Sequence, residues 1–221
     1  IHPNNASSVT GFTFSTPPGP GIVNGATHFA NAVALQAQND ATTAYNTLAT
    51  LPCTATIPGD LGGMTLTPGV YCSTSSMGLT GAVTLNGQND PAARFVFKVG
   101  SALTTASGAS VNVINGAQAC NIFWQVGSSA TLGTGTSFLG TVIAFTSVTI
   151  NTGTTVSGRT IARNGAVTAG SAAISVCTLG GGTNPPPAQP PTPVPALGLG
   201  FSLLMGLTLL VAAIRRRRQS A

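Results

Sequence analysis

Apolar and polar residues alternate in short runs that recur along the middle of this 221-residue chain. Three runs align without gaps: "ALTTASGASV" begins at residue 102, "SATLGTGTSF" at 129 and "SVTINTGTTV" at 147, and fainter copies begin at Ala82 and Ala166. The five starts are 20, 27, 18 and 19 residues apart. Such a period is typical of one turn of a β-solenoid, with one insertion around "INGAQACN".

The alternation within each copy indicates a strand with one side turned outward. The second and fourth positions are mostly apolar, whereas the third is always threonine: Thr84, Thr104, Thr131, Thr149 and Thr168. Successive residues of a strand point to opposite sides, so these threonines are expected at the surface. The segments "RFVFKVG" and "NIFWQVG", which are offset by 27 residues, predict a second strand in each coil. The pattern therefore predicts a mainly β fold, a right-handed β-solenoid.

The segment before the repeats has a different period. Residues 26–50 place apolar side chains every three or four residues, namely Phe29, Val33, Ala37, Ala41, Tyr45 and Leu48. This spacing predicts one long amphipathic α-helix with an apolar stripe. Because a single helix cannot bury its stripe alone, we expect it to pack alongside the solenoid.

Composition changes after residue 178. Residues 179–195 are rich in glycine and proline, which favours an extended linker over packed structure. Residues 196–214 are nineteen positions without a charge, and four arginines follow directly. This pattern predicts a C-terminal transmembrane helix over 196–218, or a bacterial sorting segment of the same appearance, with the domain at 1–178 outside the membrane. The protein is therefore expected to be secreted or anchored at the cell surface, with the membrane as a partner of the helix.

Charge excludes several classes of function. Eight Lys and Arg residues stand against three aspartates, and four of the eight are in the terminal arginine run, so the rest of the chain has a net charge of +1. A nucleic-acid site needs clustered cations, and none occur before the tail. Three scattered aspartates, no glutamate and two histidines offer neither paired carboxylates nor a nucleophile with its base. We therefore predict no enzyme, no catalytic residues, no cofactor and no small-molecule substrate.

The four cysteines are expected to form disulfides, because an exported protein is in an oxidising compartment. Three connectivities are possible. Cys53 and Cys72 bracket a compact loop, which favours pairing these two and leaves Cys120 to pair with Cys177. No pair has the spacing of a zinc site, so no metal is predicted.

Three further residues have structural interpretations. Asp60 in "PGDLGG" and Asp90 in "GQNDPA" are in turn-forming contexts, where a short carboxylate caps backbone amides. Trp124 is in an apolar strand and is expected in the core rather than at a sugar-stacking platform. None of the three is a candidate for function.

Taken in order, a series of segments resembles the microbial ice-binding (antifreeze) proteins, which are built on an irregular β-solenoid with one long helix beside it. The segments are "AVALQAQNDATTAYNTL", "GDLGGMTLTPGVYC", "FVFKVGSALTTASGASV", "NGAQACNIFWQVGSSATLGTGTSFLGT" and "GRTIARNGAV". The resemblance covers roughly residues 10–177 and implies adsorption to ice that inhibits its growth or recrystallisation. Family members usually have more strands before the helix, so a truncated N-terminus is expected. A cell-surface adhesin or a structural solenoid without ice activity is the alternative.

Two outward arrays compete for the ice-binding role. The first matches the family's Thr-Gly-x-Thr pattern and is favoured: Ser107, Ser110, Thr134, Thr136, Ser137, Thr152, Thr154 and Thr155. The second is the threonine column at the third position of each copy. Threonine suits either array, because its branched Cβ limits χ1 and its hydroxyl can both donate and accept hydrogen bonds.

Overall fold

A computed structural model describes residues 9–13 and 19–177 of the chain. In chain order its elements are α1 (Ala32–Thr50), β1 (Ala55–Thr56), β2 (Thr65–Leu66), β3 (Gly69–Ser73), β4 (Met77–Leu79), β5 (Ala82–Asn86), β6 (Phe95–Val99), β7 (Leu103–Thr105), β8 (Ser110–Ile114), β9 (Ile122–Val126), β10 (Ala130–Leu132), β11 (Ser137–Ala144), β12 (Val148–Ile150), β13 (Thr155–Ala162), β14 (Val167–Ala169) and β15 (Ala173–Ser175). The predicted linker at 179–195 and the predicted membrane or sorting helix at 196–218 lie outside the described residues. Within the described part, no helix is long and apolar enough to span a membrane.

The strands are parallel and stack coil on coil into three faces. The first, which we call the helix face, contains β1, β3, β6, β9 and the second halves of β11 and β13. The broad face contains β2, β5, β8, the first halves of β11 and β13, and β15. The narrow face contains β4, β7, β10, β12 and β14. The predicted mainly β, solenoid-like fold is confirmed, and its right-handed sense stays a prediction.

Two long strands turn the corner between the broad face and the helix face. In β11, Ser137 pairs with β8, whereas Thr141 and the residues after it pair with β9. The bend falls at Gly140, whose φ is +105° and where a Cβ atom would lie 2.6 Å from the carbonyl oxygen of Ile122. A side chain would therefore clash with the coil beneath, so glycine is required there.

The strand register confirms four of the five predicted repeat copies. Thr104, Thr131, Thr149 and Thr168 are Cα partners in successive strands of the narrow face. The copy that begins at Ala82 was wrong, because β5 pairs with β8 on the broad face and β4 takes the narrow-face position. The narrow-face strand of that coil has Gly78 where the other copies have threonine, so the threonine pattern matched β5 on the next face instead. Thr84 therefore lies on the broad face, between Thr65 and Asn112.

The core is an inward column of aromatic rings. Tyr71, Phe97 and Trp124 are equivalent positions of β3, β6 and β9. Their ring centroids are 5.7 Å apart between the first two and 3.9 Å between the last two, and both pairs are stacked. The indole nitrogen of Trp124 donates to the carbonyl oxygen of Leu139 at 3.0 Å. Trp124 is fully buried, as predicted.

Helix α1 begins six residues later than predicted. The side-chain oxygen of Asn31 accepts a hydrogen bond from the amide of Ala34 at 2.9 Å, and Ala30 has a φ of +48°. This N-cap starts the helix at Ala32, so the expected start at residue 26 was wrong. Within the helix the predicted stripe differs at one position: Ala41 and Tyr45 are buried as predicted, whereas Ala34 is buried in place of Val33, which is 52% exposed.

Polar contacts fasten α1 to the helix face along its middle and at its C-terminal end. In the middle, Gln38 donates to the carbonyl oxygen of Arg163 at 2.8 Å, and the Arg163 guanidinium lies 4.6 Å from the ring centroid of Tyr45, a cation–π contact. At its end, the Lys98 ammonium donates to the carbonyl oxygen of Leu51 at 2.7 Å, where the helix dipole favours a cation. The helix therefore covers one of the three faces.

Both predicted disulfides are present, between Cys53 and Cys72 and between Cys120 and Cys177. Their sequence separations are 19 and 57 residues. The first joins the segment after α1 to β3, and the second holds the last described residue against the short turn before β9.

We expect replacement of Cys53 and Cys72 by serine to lower the free energy of unfolding by about 3 kcal/mol, because the unfolded chain regains the entropy of a short loop. The same change at Cys120 and Cys177 should cost about 4 kcal/mol, since that loop is longer. Thermal unfolding followed by circular dichroism measures both. If the variant without Cys53 and Cys72 shows no circular dichroism signal of β-strands at room temperature, this expectation is wrong.

Asp60 ties the first coils together and confirms the predicted capping role. Its carboxylate accepts from the Gly62 amide at 3.0 Å, the Thr80 amide at 2.9 Å and the Thr80 hydroxyl. The hydroxyl bond, assisted by the backbone amides, lowers the pKa of Asp60 below its ordinary value. Asp90 caps a turn in the same way through the Ala92 amide at 2.8 Å.

Because the pKa of Asp60 is lowered, part of the free energy of unfolding depends on pH. The ionised form is favoured in the folded state, so its contribution is complete above the unfolded pKa of about 3.9 and is lost as pH falls through the folded pKa. Asp60→Asn should therefore destabilise the protein at pH 7 and show a smaller loss of stability on acidification than the parent. Urea unfolding across this pH range measures the difference. Asp40→Asn, on the exposed side of α1, controls for loss of the charge alone.

Candidate functional site

The short motif of the first array forms a stack of tight turns at the corner between the narrow face and the broad face. Turns over 106–109, 133–136 and 151–154 each close with a hydrogen bond from the fourth amide to the first carbonyl, at 3.3, 3.2 and 3.2 Å. Gly108, Gly135 and Gly153 are the third residues, with φ of +71°, +67° and +75°. A positive φ at this position is typical of a type II turn and explains the glycine of the motif.

The second residues of these turns, Ser107, Thr134 and Thr152, form an outward column together with Ser171 of the next coil, and we call it the corner column. All four residues are exposed. Backbone bonds join successive members: the amides of Gly108, Gly135 and Gly153 donate to the carbonyls of Thr134, Thr152 and Ser171 at 2.8, 3.0 and 2.7 Å. The hydroxyl groups are therefore held one coil apart on a hydrogen-bonded backbone. Ser171 was not predicted, although it is the sixth residue of "AVTAGSAAIS", as Thr152 is of "SVTINTGTTV".

A second outward column, the broad-face column, begins three residues further along each coil. Ser110, Ser137 and Thr155 are Cα partners on β8, β11 and β13. Ser137 and Thr155 are exposed and Ser110 is half-buried. Six of the eight residues of the first array therefore point outward, in two adjacent columns.

The other two residues of the first array do not face solvent. Thr136 and Thr154 are 0% exposed, so their prediction as surface residues was wrong. The turn glycine interrupts the alternation, and the residue after it enters the coil interior. There the hydroxyls of Thr136 and Thr154 donate to the carbonyl oxygen of Gly133 at 2.7 and 2.8 Å. The variable position of Thr-Gly-x-Thr is thus an inward position in this protein.

Further polar residues of the broad face were missed because the motif ends before them. Two positions beyond the broad-face column, Asn112 and Ser157 lie outward on β8 and β13, with Leu139 between them on β11. Ser175 continues the row on β15. Strand alternation past Ser110 and Thr155 was the signal that would have located them.

The second array is a narrow strip on the narrow face. Thr104 and Thr168 are exposed, and Thr131 and Thr149 are half-buried. The strands of this face are only three residues long, from β4 to β14, so each coil presents a single outward side chain. The column has Gly78 as its next member, because Gly78 pairs with Thr104.

Neither array carries a titratable group. The outward positions of the two faces that carry these arrays are serine, threonine, asparagine and small or aliphatic residues. Among the described residues, no cluster of three or more histidine, cysteine or acidic side chains could hold a metal ion. What these surfaces present is a row of hydroxyl and methyl groups with fixed spacing.

The fold and the site together define a class of protein: a parallel β-solenoid with a helix along one face and uncharged, hydroxyl-rich columns on the other two. Residues 1–175 match the family described as Ice-binding-like. The chain belongs to this family.

Relatives and solved structures agree with this assignment. An ice-binding protein of Nostoc sp. (strain HG1) is 46% identical over 97% of this chain and 76% of its own length. The crystal structure of an ice-binding protein from Antarctomyces psychrotrophicus superposes with a TM-score of 0.70 and 38% identity, over 71% of this chain and 78% of that one. The crystal structure of an ice-binding protein from an Antarctic biological consortium superposes with a TM-score of 0.66 and 50% identity, over 67% of this chain and 68% of that one.

Proposed function

We propose that this protein adsorbs to ice and inhibits the growth or recrystallisation of ice crystals, and that it is not an enzyme. The observation that carries the proposal is the stack of uncharged serine and threonine columns on a hydrogen-bonded backbone that the helix leaves uncovered. Membership of a family whose named relatives are ice-binding proteins supports it.

The dimensions of the surface suit a crystalline partner. Successive coils are about 4.7–4.9 Å apart, and alternate residues along a strand are about 6.6–6.8 Å apart. Both distances are similar in scale to repeats in the ice lattice. Threonine strengthens the match, since its restricted χ1 keeps the hydroxyl and methyl in one arrangement without a large loss of side-chain entropy on binding.

We assign the ice-binding surface to the corner column and the broad-face column. The members carried over from the first array are Ser107, Ser110, Thr134, Ser137, Thr152 and Thr155, and the broad face adds Asn112 and Ser157. This surface has several outward residues per coil, whereas the narrow face has one. A wider surface matters because adsorption sums many weak contacts.

The remaining assignments follow from the tail. We propose that the protein is secreted or held at the bacterial surface, and that residues 196–218 are a membrane helix or a sorting segment that takes no part in ice binding.

Tyrosine substitutions should identify the binding surface. Thr152→Tyr with Thr155→Tyr puts two rings above the proposed plane and should abolish most thermal hysteresis and crystal faceting. Because both positions are exposed, we expect the free energy of unfolding to change by only about 0.5 kcal/mol. Thr131→Tyr with Thr149→Tyr is the matched control on the narrow face and should keep the activity.

The opposite pattern would move the site to the narrow face. Full activity in both double variants would refute the threonine mechanism. A parent protein that leaves growing ice crystals unfaceted would refute ice binding itself and favour the adhesin alternative.

Deletion of residues 184–221 should leave thermal hysteresis per mole unchanged, because the proposed surface lies wholly within residues 107–171. Nanolitre osmometry of the truncated and complete chains at equal concentration measures this. A truncated protein with the parent's circular dichroism but no activity would show that the tail contributes to binding.

A further inference from the structure

Three buried threonine hydroxyls converge on one backbone unit beneath the corner column. The amide of Gly133 donates to Oγ1 of Thr105 at 2.8 Å, and the carbonyl oxygen of Gly133 accepts from Oγ1 of Thr136 at 2.7 Å and from Oγ1 of Thr154 at 2.8 Å. Oγ1 of Thr105 and Oγ1 of Thr136 are 2.8 Å apart. We call Thr105, Thr136 and Thr154 the internal hydroxyl cluster.

One proton arrangement satisfies the four shortest bonds of the cluster, at 2.7–2.8 Å. The Thr105 oxygen accepts from the Gly133 amide and gives its own proton to Thr136, and Thr136 gives its proton to the Gly133 carbonyl. Thr154 donates to the same carbonyl, which has two lone pairs. No hydroxyl donates twice in this arrangement. The carbonyl oxygen of Ala106 lies 3.3 Å from Oγ1 of Thr136 as a second, more distant acceptor.

The cluster joins three successive coils at the level of the corner. Thr105 ends β7, Gly133 and Thr136 belong to the turn after β10, and Thr154 belongs to the turn after β12. Gly133 directly precedes Thr134 of the corner column, and a Cβ at Gly133 would lie 2.5 Å from the carbonyl oxygen of Thr105. The backbone that carries Thr134 is therefore fixed from both neighbouring coils.

Turn formation alone does not need these hydroxyls. In the preceding coil the equivalent of Thr136 is Ala109, which is also 0% exposed and whose amide closes the same turn. A buried hydroxyl costs free energy unless it is hydrogen-bonded, so valine or alanine would be the simpler choice for packing. What threonine adds at this position is the set of bonds between coils.

We propose that the internal hydroxyl cluster positions the ice-binding surface, by holding Gly133 so that the corner column keeps its spacing from coil to coil. The inference depends on the proposed function, since it assigns the inward residue of Thr-Gly-x-Thr to the same site. The cluster does not touch ice and acts through the backbone of the corner column.

The test replaces a hydroxyl by a methyl group of the same shape. Thr136→Val should fold, because the side chain keeps its volume and branching, but it should lower thermal hysteresis by about threefold or more, since a binding surface needs its groups held within about 0.5 Å. Thr136→Ser keeps the hydroxyl and should restore hysteresis to near the parent value. Hysteresis is measured near the freezing point, at which circular dichroism confirms that each variant is folded.

A variant that is merely less stable provides the comparison. Ile150→Val removes one methylene from the core without touching the cluster, and it should keep its hysteresis despite a lower Tm. Thr154→Val gives a second measurement, because it removes one bond while the Gly133 carbonyl keeps its partner in Thr136. If Thr136→Val does not fold, the result for Thr154→Val decides in the same way.

The outcomes separate the two proposals. Full hysteresis in folded Thr136→Val and Thr154→Val, beside an active parent, would overturn the positioning role and leave ice binding intact. Equal loss in Thr136→Ser and Thr136→Val would also overturn it, because the hydroxyl would then not be the cause. An inactive parent would overturn the proposed function itself.

Discussion

The parallel hydrogen-bonded ladder between successive coils is the constraint on which the rest of this molecule depends. It places each residue one strand spacing from its equivalent in the next coil, so any residue type that recurs in the sequence becomes a column in space. Inside, this gives the stacked rings of Tyr71, Phe97 and Trp124. Outside, it gives the columns of serine and threonine.

The ladder also determines where the chain can vary in length. The connections from β5 to β6 and from β8 to β9 carry the extra residues, at the corner between the broad face and the helix face. Bonds from the amide of Gly87 to the carbonyl of Ile114, and from the amide of Asn89 to the carbonyl of Asn115, stack one insertion on the other. The coils formed by β10 and β11 and by β12 and β13 cross the same corner without an insertion, through a glycine. The corner near the proposed ice-binding surface keeps its four-residue turns in three successive coils.

How much the sequence revealed depended on whether alternation stayed unbroken. The copies that begin at residues 102, 129 and 147 align without gaps, so their register was predictable. The copy at Ala166 has three residues between β14 and β15, one fewer than the coil before it has between β12 and β13. The copy at Ala82 was misplaced because Gly78 occupies the threonine position of that coil, and Thr84 on the next strand matched the pattern instead. Thr136 and Thr154 were assigned to the surface because a turn glycine at positive φ reverses which residues point inward. The start of α1 is set by the side chain of Asn31, which caps the helix. The spacing of hydrophobic residues does not predict the position of such a cap.

Four of the seven charged residues of the described chain have contacts away from the proposed surface. Lys98 and Arg163 both fasten the helix, one at its C-terminal carbonyl and the other against an aromatic ring, and Asp60 and Asp90 cap turns. A charge on the columns would orient nearby water around itself, whereas hydroxyl and methyl groups leave water free to adopt the arrangement that the crystal requires. Threonine therefore has two roles set by burial alone. Outside it presents a surface to ordered water, and inside it supplies the hydrogen bonds that keep that surface regular.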